Sequence, residues 1–366
     1  MNLRTRFFLK MILIAFSGVL SVILLGIVIE FIILRGTTPQ IVDNEGRLIP
    51  RSVASLEQIS LGGIHQTILV RGADSTNPVI LFLHGGPGMP AMFLAHSFQQ
   101  DLEQDFVIVH WDRRGAGKSY FAGVESDSIT LRQTLNDTYD LTTHLRHRFE
   151  KNRIVLVAHS WGTLLGLLAV KEHPEYYSAY VGMGQLSADS LRRYVVQRRF
   201  LYNMAKAHRD NGLMERILHG ERITEDDLFR YGGEIHAARG YGPILMAGLW
   251  APEYDLFDIL NVPKGASMVS RRMREDVPVY PLEETLGEFS IPIYFFLGRH
   301  DYNTPSVLAA EYFRDLQAPA KELIWFEYSA HFPFWEEPGK FTAEMRRLKT
   351  AIRGFWNEEV ESLKIR

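Results

Sequence analysis

The chain has 366 residues, of which 46% are hydrophobic and 23% are charged, and its formal net charge at pH 7 is −3. The length suffices for one large core with an insertion, and the small net charge gives no reason to expect a nucleic-acid partner. The absence of cysteine excludes thiol catalysis, thiolate zinc sites and disulfides. His144 and His147 stand three apart on a predicted helix, but no carboxylate or cysteine completes a metal set. We therefore predict neither a metal nor another cofactor.

An apolar segment begins the chain. Residues 11–29 carry no charge and would measure about 28 Å as a helix, which is enough to cross a bilayer. Glu30 interrupts the segment, and apolar residues then continue to Leu34. The pattern predicts a single membrane span through residues 11–34. A cleaved signal peptide is the alternative, but no Ala-x-Ala cleavage pattern precedes Arg35.

The charges around this segment indicate its orientation. Arg4, Arg6 and Lys10 precede the span, whereas only Arg35 follows it closely. Because positive residues favour the cytoplasmic side, we expect a cytoplasmic N-terminus and an extracytoplasmic main domain.

The remainder of the chain has the pattern of an α/β protein. Strand-like and helix-like segments alternate from residue 55 to the C-terminus, except for a stretch of about a hundred residues that lacks parallel-strand patterns and has helical periodicity. We predict a mostly parallel doubly wound sheet with an inserted helical cap. The expected divisions are an anchor at 1–35, a linker at 36–54, a core at 55–186 and 289–366, and the cap at 187–288.

A glycine-rich loop follows the strand predicted at 79–83. Its sequence is His-Gly-Gly-Pro-Gly, at residues 84–88. Two backbone N–H groups are needed to stabilise the oxyanion of a tetrahedral intermediate, and glycines allow close approach to a substrate. We expect Gly86 to supply one donor and Trp161 the other. A plain tight turn is the alternative.

The loop at 112–119 superficially resembles a nucleotide-binding motif. It ends in Gly-Lys-Ser, but Asp112 stands where a P-loop needs its first glycine. Tyr120 likewise replaces the third glycine of a dinucleotide fingerprint. We predict no nucleotide site and interpret the loop as a structural turn after a strand.

Ser160 has the sequence context of a nucleophile elbow. It follows the apolar run 154–157, stands in Ala-His-Ser-Trp-Gly-Thr, and precedes an apolar helix-like segment. A sharp strand-to-helix turn exposes a serine hydroxyl, and small residues are needed two positions to either side. Ala158 and Gly162 occupy those positions. A helix start without a catalytic role is the alternative.

A serine nucleophile needs a base and an acid that orients the base. Asp301 and His331 each follow a predicted strand, in the order serine, acid, histidine that this elbow uses. His159 and His300 adjoin the proposed site but do not occupy the last position in that order. Asp189 is the alternative acid.

These motifs together resemble the α/β-hydrolase superfamily, and they are most similar to its prolyl iminopeptidase branch. The resemblance extends over roughly residues 55–355 and rests on the loops at 84–88 and 112–119 and on Ser160-Trp161-Gly162. That branch usually has Gly-Gly-Ser-Trp-Gly-Ser at the elbow, where this chain has Ala-His-Ser-Trp-Gly-Thr. The resemblance implies an aminopeptidase that acts on peptides with a free N-terminus, especially an N-terminal proline.

In the resembling family a carboxylate of the cap binds the ammonium group of the substrate. Glu234 is our candidate, Glu253 and Asp255 are alternatives, and solvated surface charge is another interpretation of all three.

The sequence predicts a serine hydrolase that forms an acyl-enzyme on a small peptide or acyl substrate. An esterase or lactonase is the alternative, since the same machinery serves both. Epoxide hydrolysis would need an aspartate in place of Ser160. A non-catalytic binding protein of the same fold is a third possibility, and the oligomeric state is not predicted.

Overall fold

The computed structural model describes residues 3–29, 35–121, 126–187, 190–274 and 282–352. Its centre is an eight-stranded sheet with the order β1-β2-β4-β3-β5-β6-β7-β8, in which β2 runs antiparallel to both its neighbours and all other pairs are parallel. The predicted fold class is confirmed. The strands are β1 Val53–Leu61, β2 Ile64–Gly72, β3 Val79–Leu83, β4 Val107–Asp112, β5 Ile154–His159, β6 Tyr177–Met183, β7 Ile293–Gly298 and β8 Lys321–Phe326.

The helices alternate with these strands along the chain. They are α1 Leu3–Val28, α2 Ala95–Phe98, α3 Leu131–Arg148, α4 Gly162–Glu172, α5 Ser190–His208, α6 Asn211–Leu218, α7 Glu225–Arg230, α8 Gly242–Trp250, α9 Leu256–Met273, α10 Leu282–Thr285, α11 Ser306–Asp315, α12 Pro333–Glu336 and α13 Pro338–Ala351.

The sheet is covered on both faces. Strands β3 to β7 are buried along their whole length, which explains why their sequences are mostly apolar. Alternate side chains enter different cores: Leu81 belongs to the core that also contains residues of α3, α4 and α11, whereas Ile80 and Phe82 belong to the core that contains residues of α2, α12 and α13. The two-residue period of the strand therefore serves two hydrophobic cores.

The described part of the segment between β6 and β7 contains helices α5 to α10. Six residues of α5, α6 and α7 and of the turn after them form a small core of their own: Leu201, Ala205, Leu213, Ile217, Leu228 and Tyr231. This core is separate from the two cores of the sheet. Residues of these helices line a cavity together with the loops after β3, β5, β7 and β8, which meet at the carboxyl edge of the sheet.

Helix α1 contains the apolar segment at the start of the chain. Phe7–Gly26 has a mean hydropathy of 2.5 and none of it is buried, so the helix is long and apolar enough to cross a membrane. The predicted continuation of the span through residues 30–34 lies outside the described residues. Beyond it, the N–H of Gly36 donates to the carbonyl of Pro252 at 2.9 Å, and the side chain of Arg35 donates to the carbonyl of Leu249.

The anchor and signal-peptide interpretations of α1 differ in a measurable outcome. We expect the full chain, produced in bacteria, to sediment with membranes, to resist extraction with alkaline carbonate, and to retain residues 1–35 by intact mass. Leu20→Arg is the control, because a charge at the centre of a span costs about 2.5–3.5 kcal/mol and should release the protein. A soluble wild-type product that lacks α1 would show that the segment is a cleaved signal.

Candidate active site

Ser160 stands on the turn between β5 and α4. Its φ is +55°, a left-handed conformation that costs a non-glycine residue of order 1–3 kcal/mol. Its N–H donates to the carbonyl of Met183 at the end of β6, at 2.8 Å. A Cβ on Gly162 would lie 2.5 Å from the carbonyl oxygens of Leu83 and His84, so only glycine fits there. The turn therefore presents the serine side chain at the carboxyl edge of the sheet.

Asp301 and His331 come together after neighbouring parallel strands, β7 and β8. The Nδ1 atom of His331 lies 2.9 Å from Oδ2 of Asp301, and both side chains are buried. Oδ1 of Asp301 also accepts hydrogen bonds from the backbone N–H groups of Asn303 and Thr304, each at 2.9 Å. These bonds hold the carboxylate in one orientation. A neutral His331 then carries its proton on Nδ1 and has Nε2 available as a base.

The electrostatic environment of His331 favours its protonated form. Burial by itself lowers the pKa of the imidazole, but the charges of Asp301 and Glu234 and the hydrogen bond to Asp301 outweigh it and raise the pKa to about 9. The imidazolium that forms when the ring takes a proton is therefore stabilised by two carboxylates. This property suits a group that accepts a proton from a serine hydroxyl.

The glycine loop after β3 abuts Ser160. A Cβ built on Gly85 would lie 3.2 Å from Oγ of Ser160. Nη2 of Arg113 donates to the carbonyl of Gly85 at 3.2 Å and to that of Pro87 at 2.6 Å. In a trans peptide the carbonyl and the following N–H point in opposite directions, so the N–H of Gly86 points away from Arg113. Trp161 lies just before α4, whose first N–H groups have no acceptor within the helix.

Arg113 is a residue whose role the sequence analysis missed. Besides the two loop carbonyls, its guanidinium contacts the ring of Trp161, with Cζ at 5.0 Å from the ring centre. Burial lowers the pKa of Arg113 to about 9. One buried side chain thus links both segments that would form the oxyanion hole. The sheet topology indicates this contact: β3 and β4 are adjacent and parallel, so the residues that follow these two strands must lie side by side.

The rest of the loop at 112–119 makes structural contacts. The guanidinium of Arg114 pairs with Asp137, and both side chains are buried. The hydroxyl of Ser119 accepts from the N–H of Thr67 at 2.8 Å. These bonds tie the loop to β2 and α3, as expected for a structural turn.

A cavity of about 1380 Å³ between cap and sheet is lined by Ser160, His331 and Glu234. Glu234 is only 5% exposed, and its Oε2 has no hydrogen-bond partner among the described atoms. Burial raises the pKa of its carboxyl to about 7, although the charge of His331 opposes the change. The backbone joins the two residues as well, since the N–H of His331 donates to the carbonyl of Glu234 at 3.0 Å.

The alternative carboxylates have other roles in the structure. Glu253 is completely buried and lies 2.7 Å from Nε2 of His96. Asp255 caps the N-terminus of α9 by accepting from the N–H of Asp258 at 2.8 Å. Neither residue lines this cavity. Asp189, the alternative acid, lies outside the described residues.

His159 and His300, the alternatives to His331, make other contacts in the structure. His159 is buried, and its Nε2–H donates to the backbone carbonyl of His331 at 2.8 Å. Burial, followed by the charge of His331, holds the pKa of His159 well below its usual value, so this ring is neutral. His300 stacks on His236 with ring centres 3.7 Å apart and is not part of the cavity lining.

The fold and this edge of the sheet define the class of protein. Residues 80–345 match the family model of the alpha/beta hydrolase family, and the chain belongs to that family. A probable aminopeptidase of Bacillus subtilis, YbaC, is 28% identical over 307 residues, which cover 81% of this chain and 96% of that protein. The proline iminopeptidase of Heyndrickxia coagulans is 25% identical over 272 residues, which cover 73% and 88% of the two chains.

A solved structure matches a larger share of the chain. The crystal structure of a membrane phospholipase A, a bacterial virulence factor, is 16% identical with a TM-score of 0.59, and the match covers 96% of this chain and 99% of that one. At this identity the likeness shows the shared fold.

Replacement of Arg113 tests whether it supports the predicted oxyanion hole. We expect Arg113→Met to slow the reaction of Ser160 with a fluorophosphonate roughly tenfold, less than the 10²–10³ that loss of a direct oxyanion donor costs. The measurement is the rate of labelling, with thermal melting as the test of folding. Arg148→Met, which removes a surface ion pair with Glu57, is the matched control. Equal rates in a folded Arg113→Met variant would contradict this role.

Proposed function

We propose that this α/β hydrolase is a serine hydrolase that works through an acyl-enzyme, with Ser160, His331 and Asp301 as its catalytic triad. The observation that carries the proposal is the buried Asp301–His331 pair, which shares a cavity with a serine held at positive φ. A serine on a strained turn, a base in the same cavity and an acid that orients the base are the parts that nucleophilic acyl transfer needs.

The reaction follows from these positions. Oγ of Ser160 attacks the substrate carbonyl while Nε2 of His331 takes the hydroxyl proton, and Asp301 stabilises the imidazolium. The N–H groups of Gly86 and Trp161 bind the oxyanion of the tetrahedral intermediate. His331 then gives its proton to the leaving group, which departs and leaves the acyl-enzyme. Water attacks the ester with His331 again as the base, and collapse of the second intermediate restores Ser160.

Within this chemistry we propose an aminopeptidase of the prolyl iminopeptidase type. The support is the carboxylate of Glu234, which is buried in the cavity with one oxygen unpartnered among the described atoms. A buried carboxylate without a cation is unfavourable, and the free ammonium group of a peptide would supply the missing charge. Relatives named aminopeptidase and proline iminopeptidase are consistent with this substrate class.

The proposal includes the place of the reaction. Helix α1 would remain as a single-pass anchor with a cytoplasmic N-terminus, and the catalytic domain would lie on the opposite side of the membrane. The support is the unburied apolar span Phe7–Gly26 and the positive residues that precede it.

Hydrolysis of an ester or lactone is the second candidate. Side chains of α8 and α9, among them Ile244 and Met273, contribute an apolar wall to the cavity. Such a wall suits an acyl chain as well as it suits an apolar amino acid. Ester and amide substrates use the same triad and oxyanion hole, so substrate trials must separate the two activities.

The first experiment compares substrates on the full chain in detergent. Wild type is offered prolyl and alanyl arylamides beside short-chain nitrophenyl esters, with Ser160→Ala as the control. We expect arylamide cleavage that falls by about a million-fold in Ser160→Ala, because the nucleophile is lost. Asp301→Asn should lose about 10⁴ in kcat, since the histidine tautomer is no longer fixed.

The outcomes separate the candidates. Serine-dependent cleavage of esters alone would leave the triad in place and remove the aminopeptidase assignment. A folded wild type that neither turns over these substrates nor reacts with a fluorophosphonate would refute the hydrolase proposal in favour of a binding protein. Near-full activity in Asp301→Asn would transfer the role of the acid to Asp189.

Glu234→Gln tests the ammonium site. We expect the KM for alanyl arylamide to rise about 10- to 100-fold, as loss of a charged hydrogen bond predicts, whereas kcat/KM for a nitrophenyl ester, which has no ammonium group, should change little at alkaline pH. Glu253→Gln is the matched control, because it alters a buried carboxylate that does not line the cavity.

The pH profile gives the same variant a second measurement. His331 acts as a base only when it is neutral, so kcat/KM of the wild type should rise with pH up to about 9. Glu234 raises the pKa of His331, and its replacement by an uncharged amide should therefore move this rise to lower pH. An unchanged profile together with an unchanged KM would exclude Glu234 from the site.

A further inference from the structure

Helices α8 and α9 of the cap direct large apolar side chains outward. Leu245, Met246 and Trp250 of α8 are 62%, 50% and 69% exposed, and Phe257 and Leu260 of α9 are 56% and 58% exposed. We refer to these five residues as the apolar cap face. Large exposed apolar patches on soluble proteins mark interaction surfaces. Every residue of α8 is exposed or half-buried, and its sequence contains no charge.

This face adjoins the point where the chain arrives from α1. The side chain of Arg35 donates to the carbonyl of Leu249, and the N–H of Gly36 donates to that of Pro252 at 2.9 Å. Both acceptors lie at the C-terminal end of α8. Helix α1 ends at Val28, seven residues before Arg35, and seven residues span at most about 25 Å. The end of α8 must therefore lie close to the end of the apolar helix.

We propose that the apolar cap face lies in the surface of the lipid bilayer that α1 crosses. The proposal rests on α1 as a retained anchor, and it does not depend on the reaction at Ser160. Amphipathic helices at a membrane surface bury their apolar face about 5–10 Å into the interface, and tryptophan is enriched there. Trp250 occupies such a position. Lys264, which is exposed one turn beyond Leu260, has the charge to contact anionic headgroups.

The other exposed apolar side chains of the described cap stand among charges. Leu191 and Val195 of α5 are 70% and 56% exposed, but Arg192 between them is ion-paired with Glu311. Leu218 at the end of α6 is 69% exposed, but its neighbour Arg216 is ion-paired with Asp227, and Glu215 and His219 flank it. Five of the eight strongly exposed large apolar side chains in the described part of the cap therefore lie on α8 and α9, and the chain that follows α1 contacts the C-terminal end of α8. One bilayer can accommodate both features, because the chain between them is short.

The docking would determine how substrates approach. Ile244 of α8 and Ala266 and Ser270 of α9 line the catalytic cavity, while other residues of the same helices form the apolar cap face. One wall of the cavity would then lie directly against the membrane surface. Substrates with an apolar, membrane-associated part would reach Ser160 from that side.

The absence of cysteine allows a direct test. Leu245→Cys and Phe257→Cys, made one at a time in the full chain, are labelled with an environment-sensitive fluorophore and reconstituted in vesicles of phosphatidylcholine and phosphatidylglycerol. Leu218→Cys is the matched control, an equally exposed leucine of the cap. Quenching is measured with phosphatidylcholine spin-labelled near the glycerol and, separately, with aqueous iodide. Circular dichroism tests whether each labelled variant is folded.

We expect the spin-labelled lipid to reduce the emission of the labels at 245 and 257 about two-fold or more, since an interfacial face lies within reach of such a spin label. The label at 218 should respond mainly to iodide. If the labels at 245 and 257 behave like the label at 218, the face is in water and the proposal is wrong. If they are shielded from both quenchers, the face is covered by protein, such as a second copy of the chain, and the proposal is also wrong.

Discussion

The buried contact between His331 and Asp301 is the interaction on which the proposed active site depends. Removal of a carboxylate and an imidazolium from water costs several kcal/mol for each charge, and close pairing with additional hydrogen bonds is needed to offset that cost. Here the loop after β7 supplies two backbone N–H groups to Asp301, and the loop after β8 places His331 2.9 Å away. The conformations of both loops are therefore determined by the requirement that these charges be satisfied.

The charge of Glu234 also acts on this buried pair. Glu234 of the cap is also buried and raises the pKa of His331, yet one of its own oxygens is unpartnered among the described atoms. The resting site therefore has one more carboxylate than its contacts satisfy. A substrate ammonium group would correct the excess and would at the same time weaken the hold of Glu234 on the His331 proton. Substrate binding and activation of the base would then be linked by electrostatics.

The part of the site that is predicted to bind the oxyanion depends on packing rather than on charge balance. Gly85 approaches Ser160 so closely that a side chain would collide with it, and Arg113 holds the neighbouring carbonyls from the opposite side. The same guanidinium contacts Trp161, so the two proposed donors are positioned by one buried residue. The short chain from α1 to the end of α8 likewise connects the apolar N-terminal helix to the cap.

Much of this arrangement could be predicted from local sequence. The strands at the centre of the sheet are mostly apolar, and their alternation with helices predicted the confirmed fold. The elbow around Ser160 needs small neighbours. The order of Ser160, Asp301 and His331 follows strand ends in a parallel sheet. Contacts between segments that are distant in the sequence could not be predicted. The sequence does not show that Arg113 spans two loops, that Glu234 faces the cavity while Glu253 contacts His96, or that Gly36 meets Pro252. Those pairings depend on which strands become neighbours and on how the cap settles over them. Only the tertiary structure decides them, because burial and charge act through space and not along the chain.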